Sequence, residues 1–230
     1  MPSTVVHVGL AALIGIALLG DKFDTKAILI VLTATAIIDL DTLVGIYFPG
    51  THRAAFHNIW VILIPALVLL WDTRLREESY ILTRWGAYGY RVYWVTLVTA
   101  LFAHILLDAF YNGVNLFWPL YDRFFDLSGK FIISDQRGIV QTFIELESGD
   151  DGTEIAESTT RGTTEDTHYH TGFDPGPDAP EDVERQFPIA SSGELFIVAL
   201  SGYLALAIRL VQERRQGIGR LSKGEIEGER

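Results

Sequence analysis

Apolar residues along the chain fall into blocks divided by short polar breaks, and these blocks set the first reading. The blocks are Val5–Gly20, Ala27–Phe48, Asn58–Trp71, Tyr90–Phe110 and Glu194–Leu210. A bilayer core takes about 20 helical residues, so each block reads as a membrane helix, the first and third short enough to tilt or lie half-buried. Pro65 predicts a kink in the third. No positively charged stretch precedes Val5, which favours a first membrane helix over a cleaved leader. After the fourth block the period changes. Phe131–Ser134, the turn Asp135–Gly138 and Ile139–Leu146 read as a β-hairpin. Glu147–Pro188 is rich in Asp, Glu, Gly, Thr and Pro, has little to bury, and is expected to be a mobile acidic loop.

The fold expected from this pattern is an all-α integral membrane bundle of about five transmembrane helices, with a small extracytoplasmic β-hairpin and an acidic loop. Residues 1–120 form the helical core with the polar motifs, 121–192 the hairpin and flexible loop, and 193–230 the last membrane helix and a cytoplasmic tail. Twelve of the eighteen Lys and Arg residues fall in the 21–26 and 72–91 loops and the tail from Arg209. Positive-inside logic therefore puts the N-terminus outside and the C-terminus in the cytoplasm.

Composition narrows the chemistry. A formal charge of -11 disfavours nucleic acid as a partner. Acid excess with only four lysines reads either as adaptation to a high-salt host or as an acidic loop on a membrane protein. With no cysteine there are no disulfides, thiolate metal sites or thiol nucleophiles, so a metal would have to be held by imidazole and carboxylate.

Such groups interrupt the apolar blocks. His104 and Asp108, at i and i+4, share one helix face and can share an ion, or pair as packed polar partners. An ionisable group at the centre of a membrane helix costs roughly 2.5–3.5 kcal/mol, so it usually has a partner or a task. Asp39 and Asp41 point opposite ways on a continuous helix and serve one site only if the helix breaks near Ile38. Asp41 has a structural reading as a helix cap. His52 and His57 bracket Arg53, which can pair with a phosphate or with Asp39 or Asp41. His7 alone is weak. His168 and His170 lie in the acidic loop and are set aside. In the predicted orientation His7, Asp39, Asp41, His52, His57, His104 and Asp108 all fall at the outer face. This donor set suits zinc and also manganese or iron, and seven ligands exceed one tetrahedral ion.

An N-terminal His, an apolar block ending D-x-D, then H-R-x-x-x-H, then H-x-x-x-D followed by Gly113 and Trp118-Pro119, resembles the membrane-bound metal-dependent hydrolase family, the YdjM-like proteins. That family is similar at a distance to the zinc-dependent phospholipase C and P1 nuclease group. The resemblance covers about residues 1–120. It implies a helical metal site of one or more divalent ions and phosphoester hydrolysis, with His7, Asp39, Asp41, His52, His57, His104 and Asp108 as ligands. Asn58, Tyr111 and Ile38 depart from the family pattern and leave the ligands intact. The expected function is hydrolysis of phosphoesters or lipid headgroups by metal-activated water at the outer membrane face, with Arg53 steadying the anion and Asp41 as base. The competing expectation is a non-enzymatic divalent-metal carrier, sensor or scaffold.

Overall fold

The computed structural model describes residues 2–144, 146–149, 152–155, 159–169 and 188–228. The apolar blocks become helices α1 (Thr4–Leu19), α2 (Thr25–Ile37), α3 (Asp41–Tyr47), α4 (Trp60–Leu70), α5 (Tyr80–Ala100), α6 (Leu106–Tyr111) and α7 (Gly193–Gly228). Local chemistry sets several ends. Asp24 caps α2 by accepting from Ala27 N at 2.6 Å, and Ser79 caps α5 by accepting from Leu82 N at 3.1 Å. A 3-10 turn at Ile38–Leu40 joins α2 to α3, and a π turn at Leu101–Ile105 joins α5 to α6. Both irregular turns carry polar residues of the site.

Four helical stretches among the described residues are long and apolar enough to cross a membrane: Thr4–Lys22, Thr25–Tyr47, Tyr80–Tyr111 and Gly193–Gln216. The third block falls short of the five expected. Its α-helix and the π turn Trp71–Leu75 give about 24 Å of helix against a core of about 30 Å, and the helix runs on through Pro65. The last helix is longer than its apolar block, because the polar tail continues it to Gly228.

The bundle is apolar over most of its length and polar at one end. Ala11, Ala12, Leu19, Ile28, Val31 and Val95 fill the middle and the far end, all under 2% exposed. At that far end Arg91 donates to the Leu18 carbonyl, Tyr88 to Asp24, and Thr25 to Glu213. The chain starts α1, ends α2, leaves α6 and starts α7 at the opposite end, where the buried histidines and aspartates lie.

The region after α6 is less loose than expected. Strands β2 (Phe131–Ser134) and β3 (Gly138–Gln141) form the hairpin, which ends at Gln141 and not at Leu146. Strands β4 (Leu146–Gly149) and β5 (Gly152–Ile155) add a second hairpin inside the stretch read as a mobile loop. Residues 159–169 then return to the helical end. Strand β6 (Thr160–Arg161) pairs with β1 (Phe124–Phe125), and Asp122 accepts from the Thr164 N and hydroxyl. Asp126 and Arg161 pair alongside. These contacts use β-branched threonines and lone acids, which carry no apolar period for a sequence reading to find. The rest of the acidic stretch, with His170, lies outside the described residues.

Candidate metal centre

The 3-10 turn is the break near Ile38 that two useful aspartates require. It turns Asp39 toward α5 and α6, and Asp41 toward the loop that follows α3. That loop, residues 48–59, is organised by Asp41, which is fully buried. Its Oδ1 accepts from His52 Nδ1 at 2.9 Å. Its Oδ2 accepts from His57 Nδ1 at 2.7 Å and from Arg53 N at 3.1 Å. Arg53 takes a left-handed backbone, φ 66°, which costs a side-chain-bearing residue about 1–2 kcal/mol. The loop holds it there through that N–H and through its own carbonyl, which accepts from Asn115 N at 2.9 Å.

Five side chains meet above this loop. One donor atom from each of His7, Asp39, His104 and Asp108 lies within 4.8 Å of the others. His57 Nε2 adjoins them, 3.0 Å from His104 Nε2, 3.1 Å from Asp108 Oδ2 and 3.8 Å from Asp39 Oδ1. His104 Nε2 is 3.2 Å from Asp39 Oδ1, and His7 Nε2 is 3.5 Å from Asp108 Oδ1. Two of the rings are locked from behind. His7 Nδ1 donates to the Ala103 carbonyl at 2.7 Å, in the π turn, and His57 Nδ1 donates to Asp41. Each therefore turns Nε2, with its lone pair, into the cluster. The His7 and His104 rings stack at 3.9 Å between centroids.

These separations fit an ion. Tetrahedral zinc with bonds of about 2.0–2.1 Å sets its ligand atoms about 3.3 Å apart; five of the contacts among these donors run from 3.0 to 3.8 Å, and the widest spacing among His7, Asp39, His104 and Asp108 is within 4.8 Å. His7 Nε2 and Asp108 Oδ2 are buried and make no well-aligned hydrogen bond among the described residues, although Asp108 Oδ1 and His57 Nε2 lie 3.5 Å and 3.1 Å from them, a setting that a cation would complete. Two imidazole nitrogens facing each other at 3.0 Å repel unless a proton or metal lies between them. Without metal, His57 supplies the positive charge. Burial alone pulls its pKa down, but the neighbouring Asp41 and Asp108 carboxylates outweigh this and raise it to about 9.

The structure thus brings together His7, Asp39, His57, His104 and Asp108, and places Asp41, His52 and Arg53 behind them. Asp41 differs from the expected base. It is sealed from solvent and saturated by donors, so it has no free oxygen for a substrate proton. His52 reaches Asp41 and the Thr42 hydroxyl, and its ring is 6.0 Å from that of His57. Arg53 differs from the expected anion clamp. It is 1% exposed, its Nη2 donates to Asp108 Oδ1 at 3.3 Å, and its Nη1 donates to the Gly113 carbonyl at 3.4 Å. Tyr169, absent from the sequence reading, covers the guanidinium at 5.0 Å and donates its hydroxyl to the Asn112 carbonyl at 2.6 Å. Gly113, at φ 81°, passes below it, and a Cβ there would lie 3.4 Å from the Tyr169 hydroxyl.

Residues 1–167 match the model of one family, described as YdjM inner membrane protein. The chain belongs to that family. The YdjM match takes in the five converging side chains with Asp41, His52 and Arg53, and leaves Tyr169 and α7 outside it. No curated protein and no solved structure matches the chain. It is a membrane protein of this family with a His/Asp cluster able to hold a metal ion.

Asp41→Asn is expected to weaken metal binding about 10–100-fold, since it disturbs the carboxylate that aims His57 while leaving every donor of the cluster in place. Competition against a chromogenic chelator measures this. Unchanged affinity would mean that Asp41 only holds the loop.

Proposed function

We propose that this protein is a membrane-embedded, metal-dependent hydrolase of phosphoesters, with its ion held by His7, Asp39, His57, His104 and Asp108 at the outer membrane face. The observation that carries the proposal is the convergence of three imidazole nitrogens and two carboxylates, two of whose atoms are buried and make no well-aligned hydrogen bond among the described residues. Charge supports a single divalent ion. With neutral imidazoles, the carboxylates of Asp39, Asp41 and Asp108 against one guanidinium, Arg53, leave two negative charges. An unbalanced pair of charges in so dry a setting would be costly. Zinc suits the donors, and manganese or iron can use the same set.

A bound divalent ion would supply Lewis acidity, polarising a phosphoryl oxygen and lowering the pKa of water. The chain's own residues provide the setting. His7, His57, His104 and Asp108 are at most 1% exposed, which excludes bulk water. Asp39 is the open edge, with its side chain 22% exposed, its Oδ1 toward the histidines, and its Oδ2 accepting from the Thr4 hydroxyl. It is the group an incoming phosphoester meets first. Arg53 holds the orientation of Asp108 and does not touch the substrate anion.

A carrier gains less support, because Ala11, Ala12, Val31 and Val95 pack the interior of the bundle beneath the cluster with apolar side chains. A sensor or scaffold that keeps the ion for structure is the remaining alternative. Hydrolysis of bis(p-nitrophenyl) phosphate by detergent-purified protein, stripped of metal and reloaded, separates the two. The hydrolase reading expects activity only with metal, falling at least 100-fold in His104→Ala and Asp39→Asn. Metal binding with no turnover of any phosphoester would leave the scaffold.

A further inference from the structure

The hairpin of β2 and β3 has one bare apolar face. Its register sets Ile133 opposite Ile139 and Phe131 opposite Gln141. Side chains alternate along a strand and opposed residues share a face, so Phe131, Ile133 and Ile139 lie together on one side. They are 62%, 82% and 72% exposed. A two-stranded hairpin is marginal in water by itself, and an aliphatic face left in water weakens it further. The base of this hairpin is fixed to the end of a membrane span. The Phe143 ring meets the Phe110 ring edge-on at 5.1 Å between centroids, and Leu127 N donates to the Ala109 carbonyl at 2.8 Å. Ala109 and Phe110 belong to α6, which ends the apolar stretch Tyr80–Tyr111. Thr142 N donates to the Lys130 carbonyl at 3.0 Å and closes the two strands just beyond that point. The hairpin also stands apart in charge. Residues 127–144 carry one acid, Asp135, and two bases, Lys130 and Arg137, in a chain of formal charge -11. Asp135 and Arg137 are in the turn, off the apolar face.

We infer that this face lies in the bilayer leaflet at the cluster end of the bundle, which makes the hairpin an in-plane membrane contact beside the spanning helices. The inference is independent of the hydrolase reading. Continuity carries it: Phe110 is exposed on a helix that crosses the membrane, and Phe143 extends that surface from the helix to the hairpin. Lengths set the pose. Four strand residues span about 13 Å. The polar zone of a leaflet is only about 5–7 Å deep. An upright hairpin would carry Ile133 and Ile139 past the headgroups into water. Lying along the surface, it keeps all three side chains at the acyl boundary and the charged turn among the headgroups. A second copy or a soluble partner fits this face less well. Three side chains offer at most a few hundred Å², against about 800 Å² per partner in a stable protein interface.

The chain has no cysteine, so a nitroxide can be attached at one chosen position. Ile133→Cys, Ile139→Cys and, in the turn, Gln136→Cys are spin-labelled as full chains and reconstituted in liposomes of phosphatidylcholine and phosphatidylglycerol. All three positions are exposed, so the label displaces no packing. Power saturation compares collisions with oxygen, which concentrates in lipid, and with a water-soluble nickel chelate. The ratio of oxygen to nickel accessibility is expected to be at least about threefold higher at 133 and 139 than at 136. Equal ratios at the three positions would put the face in water and overturn the inference. Low accessibility to both reagents at 133 and 139 would mean that protein covers the face, and overturns it as well. In that case, spin–spin broadening that fades when labelled chains are diluted with unlabelled ones identifies a second copy as the cover.

Discussion

Alanine in place of Asp108 should release the metal and loosen the site end of the bundle together. The carboxylate is 1% exposed and faces Arg53 Nη2 at 3.3 Å, His57 Nε2 at 3.1 Å and His7 Nε2 at 3.5 Å. Without it Arg53, itself 1% exposed, keeps only the Gly113 carbonyl and the face of Tyr169. An unpaired buried charge destabilises by about 3–5 kcal/mol, a large part of an ordinary folding free energy. For a chain of this size that corresponds to a fall in Tm of roughly 10 °C. Asp108→Asn, which keeps the shape and an acceptor for Arg53, should lose metal with a smaller fall. Arg53→Met combined with Asp108→Leu removes both charges and should recover most of the thermal stability without recovering the metal. Thermal unfolding in detergent and metal content of the four proteins check this. An Asp108→Ala protein with wild-type Tm and a full equivalent of metal would contradict the geometry at its centre.

Gly202→Leu is expected to have the largest effect of any change outside the cluster. Gly9 and Gly202 let α1 and α7 cross in backbone contact, as small residues do between membrane helices. A Cβ on Gly202 would lie 1.8 Å from the Gly9 carbonyl oxygen, and one on Gly9 would lie 2.6 Å from the Ala199 Cα. These are backbone atoms that cannot swing aside, so the helices must part. Parting them opens the Val6, Leu195 and Ala199 cluster and breaks the bond from the Tyr203 hydroxyl to the Val5 carbonyl. His7 lies on the same stretch of α1, so metal affinity should fall with stability. Overpacking of this kind costs about 1–3 kcal/mol and more where the backbone is rigid. Gly202→Ala should move Tm in the same direction by less. A Gly202→Leu protein with unchanged Tm would mean that α1 and α7 do not cross here.

Much of this was legible in the chain because a bilayer imposes a simple code. Long apolar runs mark α1, α2, α5 and α7, and a charge inside such a run stands out, which is how Asp39, His104 and Asp108 were found. The His104/Asp108 spacing survives the π turn between them, since both still contribute donors to one cluster. Helical periodicity could not tell which of Asp39 and Asp41 faces the ion. That depends on the 3-10 turn at Ile38–Leu40 and on how the 48–59 loop folds around Asp41. The role of Arg53 was also hidden, because a sequence shows its charge and not its burial. Tyr169 was missed for a different reason. It sits in a stretch whose composition argues for disorder, and it is held by the two residue pairs of the β1–β6 ladder, the Asp122–Thr164 contacts and a single hydroxyl bond to Asn112, none of which has a period. The threonines at 159, 160, 163 and 164, dense for an acidic loop, were the one signal available.

The central claim is that His7, Asp39, His57, His104 and Asp108 hold one ion. Anomalous diffraction at the zinc edge from crystals of the zinc-loaded protein tests it most directly. One peak within bonding distance of His57 Nε2, His104 Nε2 and Asp39 Oδ1, at one equivalent per chain, is the expected result. No peak among these side chains, or a peak held elsewhere on the chain, would contradict it.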